Sequence, residues 1–225
     1  MNPTFCEKID SDDIKIKHPS SVLLVGTTKS GKTSFFEKLI NSKSKFYDTK
    51  ITKVYIFYRV YQNMYDSILR QNPGQVFFIH VEKNDIINYS TIEQINDAIV
   101  IFDDLIHSLS SEIYESILVK GHHNSISFII VSQFLYNDKV LKILRDQMDI
   151  VVILRGVNLN HIFKFMEDFY PKRKQRLIGS FIEDIFEKPY SYIYFDKNAQ
   201  TMNLYRIRYD IFNEGGEGII LSLIH

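Results

Sequence analysis

Six short stretches of the chain are almost continuously apolar. Each has five or six residues, is rich in β-branched or aromatic side chains, and lacks the alternation of a half-exposed strand. They occupy residues 21–26, 53–58, 75–80, 98–102, 127–132 and 150–154. Strands buried on both faces have this pattern, so it predicts a mostly parallel sheet covered by helices.

Segments of helical length, each with an apolar stripe, lie between several of these runs. The predicted helices cover residues 33–40, 108–119, 137–147 and 158–169. Serines at the start of the second helix suit an N-terminal cap. Strands that alternate with helices at this spacing predict right-handed βαβ crossovers and a three-layer α/β domain.

The pattern changes after residue 187. Residues 190–195 and 202–209 alternate between apolar and polar side chains, with a turn-forming DKNAQ segment between them. This predicts an antiparallel hairpin that completes the sheet at its C-terminal edge. We therefore divide the chain into an N-terminal extension (1–20), an α/β domain (21–212) and a C-terminal tail (213–225), which is glycine-rich and then apolar.

Composition narrows the functional classes. The 225 residues include 27 basic and 27 acidic side chains, so any contact with nucleic-acid phosphates must be local. The single cysteine, Cys6, excludes an internal disulfide, a cysteine zinc cage and an iron–sulfur cluster, and it fits a reducing compartment. No stretch has the pattern of a signal peptide or a membrane span, so we expect neither.

A phosphate-binding motif follows the first apolar run. Its sequence fits the pattern G-x-x-x-x-G-K-[ST] at every fixed position, between a predicted strand and a predicted helix. The motif consists of Gly26, Thr27, Thr28, Lys29, Ser30, Gly31, Lys32 and Thr33. Backbone N–H groups of such a loop cradle phosphates, which predicts ATP as the ligand, with Lys32 on the β- and γ-phosphates and Thr33 on Mg²⁺. Lys29 either contacts the γ-phosphate or points to solvent.

An acidic pair, Asp103 and Asp104, ends the apolar run at 98–102. Ligands bind at the carboxyl edge of an open α/β sheet, and there Asp103 can orient the Mg²⁺ held by Thr33. Asp104 can act as the general base on the attacking water. The alternative is that an aspartate merely caps a following helix; after a phosphate loop, the catalytic interpretation is favoured.

Gln133 ends the strand predicted at 127–132. Its amide can contact the γ-phosphate or the attacking water if this strand lies between the loop strand and the acidic strand. Alone, the residue favours the simpler interpretation of an ordinary hydrogen-bonding loop residue. Together, the three features predict a P-loop NTPase of the additional-strand class, whose members couple ATP hydrolysis to motion.

These motifs, with their order along the chain, resemble the viral genome-packaging ATPases of the FtsK–HerA superfamily, of the poxvirus type found in large nucleocytoplasmic DNA viruses and Polinton-like elements. The resemblance runs from about residue 21 to 195. It includes KGHHNSIS at 120–127 before the strand ending in Gln133, LRDQMD at 144–149, and YSYIYFD at 190–196. His122 departs from the family, where arginine is common, and a histidine is mostly neutral near pH 7.

The resemblance implies a homo-oligomeric ring, usually a hexamer, that moves double-stranded DNA into a capsid. It also implies capsid or portal components as partners, no membrane partner, and a location in the virion or the cytoplasmic virus factory of an infected cell. Ring motors often insert an arginine into a neighbour's ATP site. Arg145 is the first candidate for that arginine and Arg155 the second, although either could form a surface ion pair instead.

Two basic runs are candidates for DNA contact. One comprises Lys172, Arg173, Lys174 and Arg176, and the other Lys43, Lys45, Lys50 and Lys53. Such runs are commonly solvated faces, but in a ring they could line a channel.

Other functional classes fit less well. A nucleotide kinase would have an arginine-rich lid, and a GTPase would have N-K-x-D, which the EKND at 82–85 does not match. An ATP-gated assembly scaffold without turnover is the non-enzymatic alternative.

Overall fold

A computed structural model describes residues 6–10, 15–115, 117, 124–137, 139–167, 172–198, 206–212 and 217–221. For residues 6–10, 172–177 and 217–221 the description covers the backbone alone.

Ten strands of the described residues form a single sheet. They are β1 (Cys6–Asp10), β2 (Ser21–Val25), β3 (Lys53–Tyr58), β4 (Val76–His80), β5 (Ala98–Asp103), β6 (Ile126–Ser132), β7 (Ile150–Leu154), β8 (Tyr192–Asp196), β9 (Ile207–Tyr209) and β10 (Glu217–Leu221). Their spatial order is β1-β10-β9-β8-β7-β2-β6-β5-β3-β4. The predicted strands agree with this set to within a residue or two wherever both ends are described.

Six neighbouring strands, from β7 to β4 in that order, are parallel, and the pairs from β7 through β8, β9 and β10 to β1 are antiparallel. The inserted strand β6 separates the loop strand β2 from the acidic strand β5. The prediction of an additional-strand sheet is therefore confirmed. Because parallel strands point the same way, the residues that follow β2, β5 and β6 meet at one edge.

Eight α-helices of the described residues join and flank the strands. They are α1 (Lys32–Asn41), α2 (Lys43–Phe46), α3 (Met64–Gln71), α4 (Tyr89–Ile92), α5 (Ser111–Glu115), α6 (Lys139–Gln147), α7 (Leu159–Glu167) and α8 (Lys172–Phe186). No helix in the described part of the chain is long and apolar enough to cross a membrane.

The core has two halves, one on each face of the sheet. Along β2, Leu23 and Val25 pack into one half, whereas Val22 and Leu24 pack into the other. All four side chains are buried. Burial on both faces explains the continuous apolar runs and confirms the three-layer arrangement.

The structure differs from the sequence predictions in several places. The predicted helix at 108–119 is a 3₁₀ turn at Ile106–Ser108 followed by α5; residues 118 and 119 lie outside the described residues. The predicted hairpin has a shorter second strand, β9, and residues 201–205 are not described. Strand β10, from the C-terminal tail, pairs with β9 and with β1 from the N-terminal extension.

Candidate active site

The phosphate loop turns sharply between β2 and α1. The Gly26 N–H donates to the Ser132 carbonyl (3.1 Å), and Gly31, with φ of 103°, precedes the first residue of α1. A Cβ on Gly26 would lie 2.3 Å from Ser30 Oγ and 3.0 Å from Leu154 Cβ. A side chain at that position would have to displace the Ser30 hydroxyl and press on Leu154, which favours glycine. Thr27, Thr28 and Lys29 form the exposed crest of the loop.

Lys32 folds over the loop that precedes it. Its Nζ donates to the carbonyls of Gly26 (2.7 Å) and Thr27 (3.0 Å). Burial lowers the pKa of Lys32, while Asp104 and Asp103 act in the opposite direction. Among the described residues, Ser30 Oγ is a buried hydroxyl with no hydrogen-bond partner. A cation, an orphaned hydroxyl and a glycine-shaped loop at a helix N-terminus fit a polyphosphate.

Thr33 and Asp103 lie on either side of one amide, that of Gln62. Thr33 Oγ1 donates to Gln62 Oε1 (2.6 Å), and Gln62 Nε2 donates to Asp103 Oδ2 (2.9 Å). Tyr65 Oη donates to the same carboxylate oxygen (2.5 Å). A hydroxyl and a carboxylate bridged this closely are the oxygen donors that Mg²⁺ takes in phosphate sites, so the predicted metal ligands fit the ion.

Asp103 is only 6% exposed. Burial raises the pKa of its carboxyl, and the neighbouring Asp104 raises it further. The hydrogen bond from Tyr65 and the charge of Lys32 act in the opposite direction. A cation beside this carboxylate would offset the cost of burying its charge.

Asp104 is exposed and hydrogen-bonded to Gln133. Gln133 Nε2 donates to Asp104 Oδ2 (2.6 Å), while Thr28 Oγ1 donates weakly to Gln133 Oε1 (3.4 Å). The following 3₁₀ turn begins after Leu105 and has no side-chain cap, so Asp104 does not serve as its helix cap. The backbone of Asp104 is left-handed, with φ of 56°.

The structure corrects the prediction that Arg145 reaches into a neighbouring subunit. The Arg145 side chain is 8% exposed, and its Nη1 donates to the Leu135 carbonyl (3.0 Å). Its guanidinium carbon lies 3.9 Å from the centre of the Tyr136 ring. These contacts hold the guanidinium inside its own chain. Arg155, by contrast, is exposed at the carboxyl end of β7.

The structure thus brings together all the predicted site residues except Arg145. Gln62 and Tyr65 were missed by the sequence analysis, although both follow β3, whose carboxyl end lies at the same edge as the site. Their position soon after β3 was the feature of the sequence that could have pointed to them. The segment 118–123, with His122, lies outside the described residues.

The two basic runs differ in their surroundings. The run from Lys172 to Arg176 begins α8. In the other run, Lys43 Nζ donates to Asn72 Oδ1 (3.1 Å), and burial lowers the pKa of Lys43. Lys50 and Lys53 are exposed. Lys43 is therefore the member least available to DNA.

No protein-family model matches this sequence, and comparison with curated proteins finds no match either. Solved structures do match. The genome-packaging NTPase B204 of Sulfolobus turreted icosahedral virus 2, in complex with sulfate, aligns with a TM-score of 0.57 and 16% identity over 85% of this chain and 95% of that one. The DNA-packaging ATPase B204 of Sulfolobus turreted icosahedral virus aligns with a TM-score of 0.56 and 14% identity over 85% and 97%.

A third structure, B204 of Sulfolobus turreted icosahedral virus 2 with ATP-γS, has a TM-score of 0.54 and 15% identity over 85% of this chain and 96% of that one. These neighbours confirm, at the level of the fold, the resemblance to viral genome-packaging ATPases; the poxvirus-type subdivision stays a prediction. The chain has the P-loop NTPase fold of the B204 genome-packaging enzymes.

Proposed function

We propose that this protein is a Mg²⁺-dependent ATPase that moves double-stranded viral DNA into a capsid. The observation that carries the ATPase proposal is the meeting of Lys32, Thr33, Asp103, Asp104 and Gln133 at one edge of the sheet. Phosphate-binding, metal-binding and base groups are thereby assembled around the place where a triphosphate would end.

Each residue has a separate role in this proposal. Lys32 supplies positive charge to the β- and γ-phosphates, exchanging the loop carbonyls for phosphate oxygens. Thr33 and Asp103 would hold Mg²⁺, which neutralises phosphate charge when bound. Asp104 takes the proton of the attacking water, and the amide of Gln133 fixes the carboxylate for that transfer.

The packaging role rests on the fold likeness over most of the chain and on the order of motifs. The solved neighbours are described as genome-packaging enzymes, and one of them contains ATP-γS. Their identity to this chain is low, so DNA as the substrate is our inference. The neutral net charge requires that DNA binding use a local basic run, repeated around a homo-oligomeric ring.

An exposed arginine is needed if neighbouring subunits complete each other's sites. Arg155 meets this requirement because it is exposed at the edge of the sheet that carries the phosphate loop. We therefore place the trans arginine of a ring at Arg155. The capsid or portal partner and the virion or virus-factory location follow from the packaging role.

The test measures phosphate release with and without double-stranded DNA over a range of salt concentrations. We expect Lys32→Ala to abolish turnover, and DNA to stimulate the parent at low salt and progressively less as salt rises. Reversal of Lys172, Arg173 and Lys174 to glutamate should remove the stimulation and spare basal turnover. The same reversal of Lys50 and Lys53 tests the second basic run, and loss of stimulation in that variant alone would move the DNA contact to it.

Three results would contradict parts of the proposal. Parental turnover in Lys32→Ala would refute the ATPase assignment. Nucleotide binding and assembly without hydrolysis would favour an ATP-gated scaffold. Hydrolysis that no duplex stimulates, in an assembled protein at low salt, would refute translocation.

A further inference from the structure

Tyr190 lies beside the phosphate loop, in the turn between α8 and β8. A Cβ placed on Gly31 would come within 3.2 Å of Tyr190 Cδ1 and 3.8 Å of its Cβ. The tyrosine is nevertheless 70% exposed. Large aromatic side chains bury most of their surface when they only serve the core. An exposed ring against a phosphate-loop glycine is therefore available to a ligand bound at that loop.

The backbone holds this ring in an uncommon conformation. Tyr190 has a φ of 58°, in the left-handed region that bulky residues avoid. The next residue, Ser191, fixes the turn on both sides: its Oγ donates to the Lys188 carbonyl (2.8 Å), and its own carbonyl accepts from the Arg155 N–H (2.9 Å). Backbone strain that is maintained by hydrogen bonds at a site edge is typical of functional positions.

The residues on the two sides of the phosphate loop indicate the direction in which a bound nucleotide would run. Thr33 and Asp103 mark the metal and γ-phosphate end, toward β5. Tyr190 and Leu154 lie on the opposite side, toward β7 and β8, where Leu154 Cδ2 is 3.7 Å from the same Cβ placed on Gly31. A triphosphate with its last phosphate toward β5 must extend its sugar and base toward β7 and β8. Tyr190 stands at that end.

We propose that the Tyr190 ring forms one wall of a nucleobase subsite, on which the base of the bound nucleotide stacks. This proposal rests on the nucleotide-binding function proposed above. Stacking uses the π face that every base has, so Tyr190 contributes affinity and little choice between adenine and guanine.

The test measures separately what the base and the phosphates contribute to the binding affinity. Calorimetry compares Mg·ADP, Mg·GDP and inorganic pyrophosphate as ligands of the parent, Tyr190→Asn and Tyr190→Phe. Asparagine removes the ring yet accepts a left-handed φ, and phenylalanine keeps the ring. Thermal unfolding confirms that each variant is folded.

We expect Tyr190→Asn to weaken ADP and GDP binding by about 5- to 150-fold, the range of aromatic stacking on a base. Its affinity for pyrophosphate should stay within about twofold of the parent, and Tyr190→Phe should bind ADP nearly as the parent does. ADP binding that is equal in the Asn and Phe variants would overturn the subsite alone. Failure of the parent to bind either ADP or pyrophosphate would overturn the nucleotide site with it.

Discussion

Replacement of Asp104 by asparagine should separate chemistry from binding. Asparagine keeps the size of the side chain and accepts the left-handed backbone found at this position, where φ is 56°. Alanine would be a poorer choice, because a left-handed backbone costs it about 1–2 kcal/mol and it lacks the short polar side chain with which asparagine and aspartate form local hydrogen bonds in this conformation. The asparagine variant therefore removes the base with little disturbance of the loop.

The expected loss of hydrolysis rate follows from the position of the Asp104 carboxylate. Asp104 is exposed, and it is held by the 2.6 Å hydrogen bond from Gln133 rather than by phosphate-loop contacts. Loss of a general base costs about 100-fold or more in rate, and 100-fold corresponds to about 2.7 kcal/mol in the activation barrier. We expect the affinity for Mg·ATP to stay within about twofold of the parent, because uniform binding is not altered.

Single-turnover phosphate release at saturating Mg·ATP measures the chemical step, and calorimetry with a non-hydrolysed analogue measures binding. Gln133→Leu is the companion variant: it leaves the base but removes its positioning amide. The double variant should be scarcely slower than Asp104→Asn, since the two residues act as a unit. A parental rate in Asp104→Asn would refute the base assignment, and an equal loss of binding would point to metal ligation instead.

Three further predictions concern the metal site and the sheet. Gln62→Ala should lower the Mg²⁺ concentration needed for half-maximal hydrolysis by about two- to ten-fold, because the ion no longer competes with two hydrogen bonds; a higher requirement would contradict this. Asp103→Asn should raise the unfolding temperature at pH 7 because burial raises the pKa of the native carboxyl. That gain should shrink as the pH falls through the raised pKa toward the ordinary value of 3.8, where the unfolded chain is protonated too; a gain independent of pH would refute it. Asp196→Ala should cost about 1.5–3 kcal/mol in thermal unfolding, since it removes the 2.7 Å charge-assisted hydrogen bond to the buried Arg208; the exposed Asp184→Ala is the control, and equal losses would contradict this reasoning.

Much of the fold was predictable because burial on both faces of a parallel sheet leaves a strong record in the sequence. The strands at 53–58 and 150–154 were predicted to the residue for this reason. Strands β1 and β10 were not predicted. Their pairing joins residues about two hundred positions apart, and no local pattern encodes that contact.

The site was predictable where a motif fixes spacing along the chain, and less so where the fold fixes it. Lys32 and Thr33 belong to one loop, so their relation is local. Gln62 reaches the site only because β3 lies next to β5 in the sheet. Arg145 was misassigned because a helical arginine has the same pattern whether it faces solvent or, as here, the ring of Tyr136.

The inserted strand β6 also sets the distance between the loop strand β2 and the acidic strand β5. Neighbouring strands are about 4.8 Å apart, so the loop strand and the acidic strand are separated by roughly 10 Å. Residues that directly follow these two strands are therefore too far apart for short side chains to touch, and the gap is wide enough for a phosphate, a cation and a water molecule. In this structure the amide of Gln62 bridges part of it. The spacing of the strands therefore fixes the distance within which a terminal phosphate group must fit, and Gln133 directly follows β6, the strand between the other two.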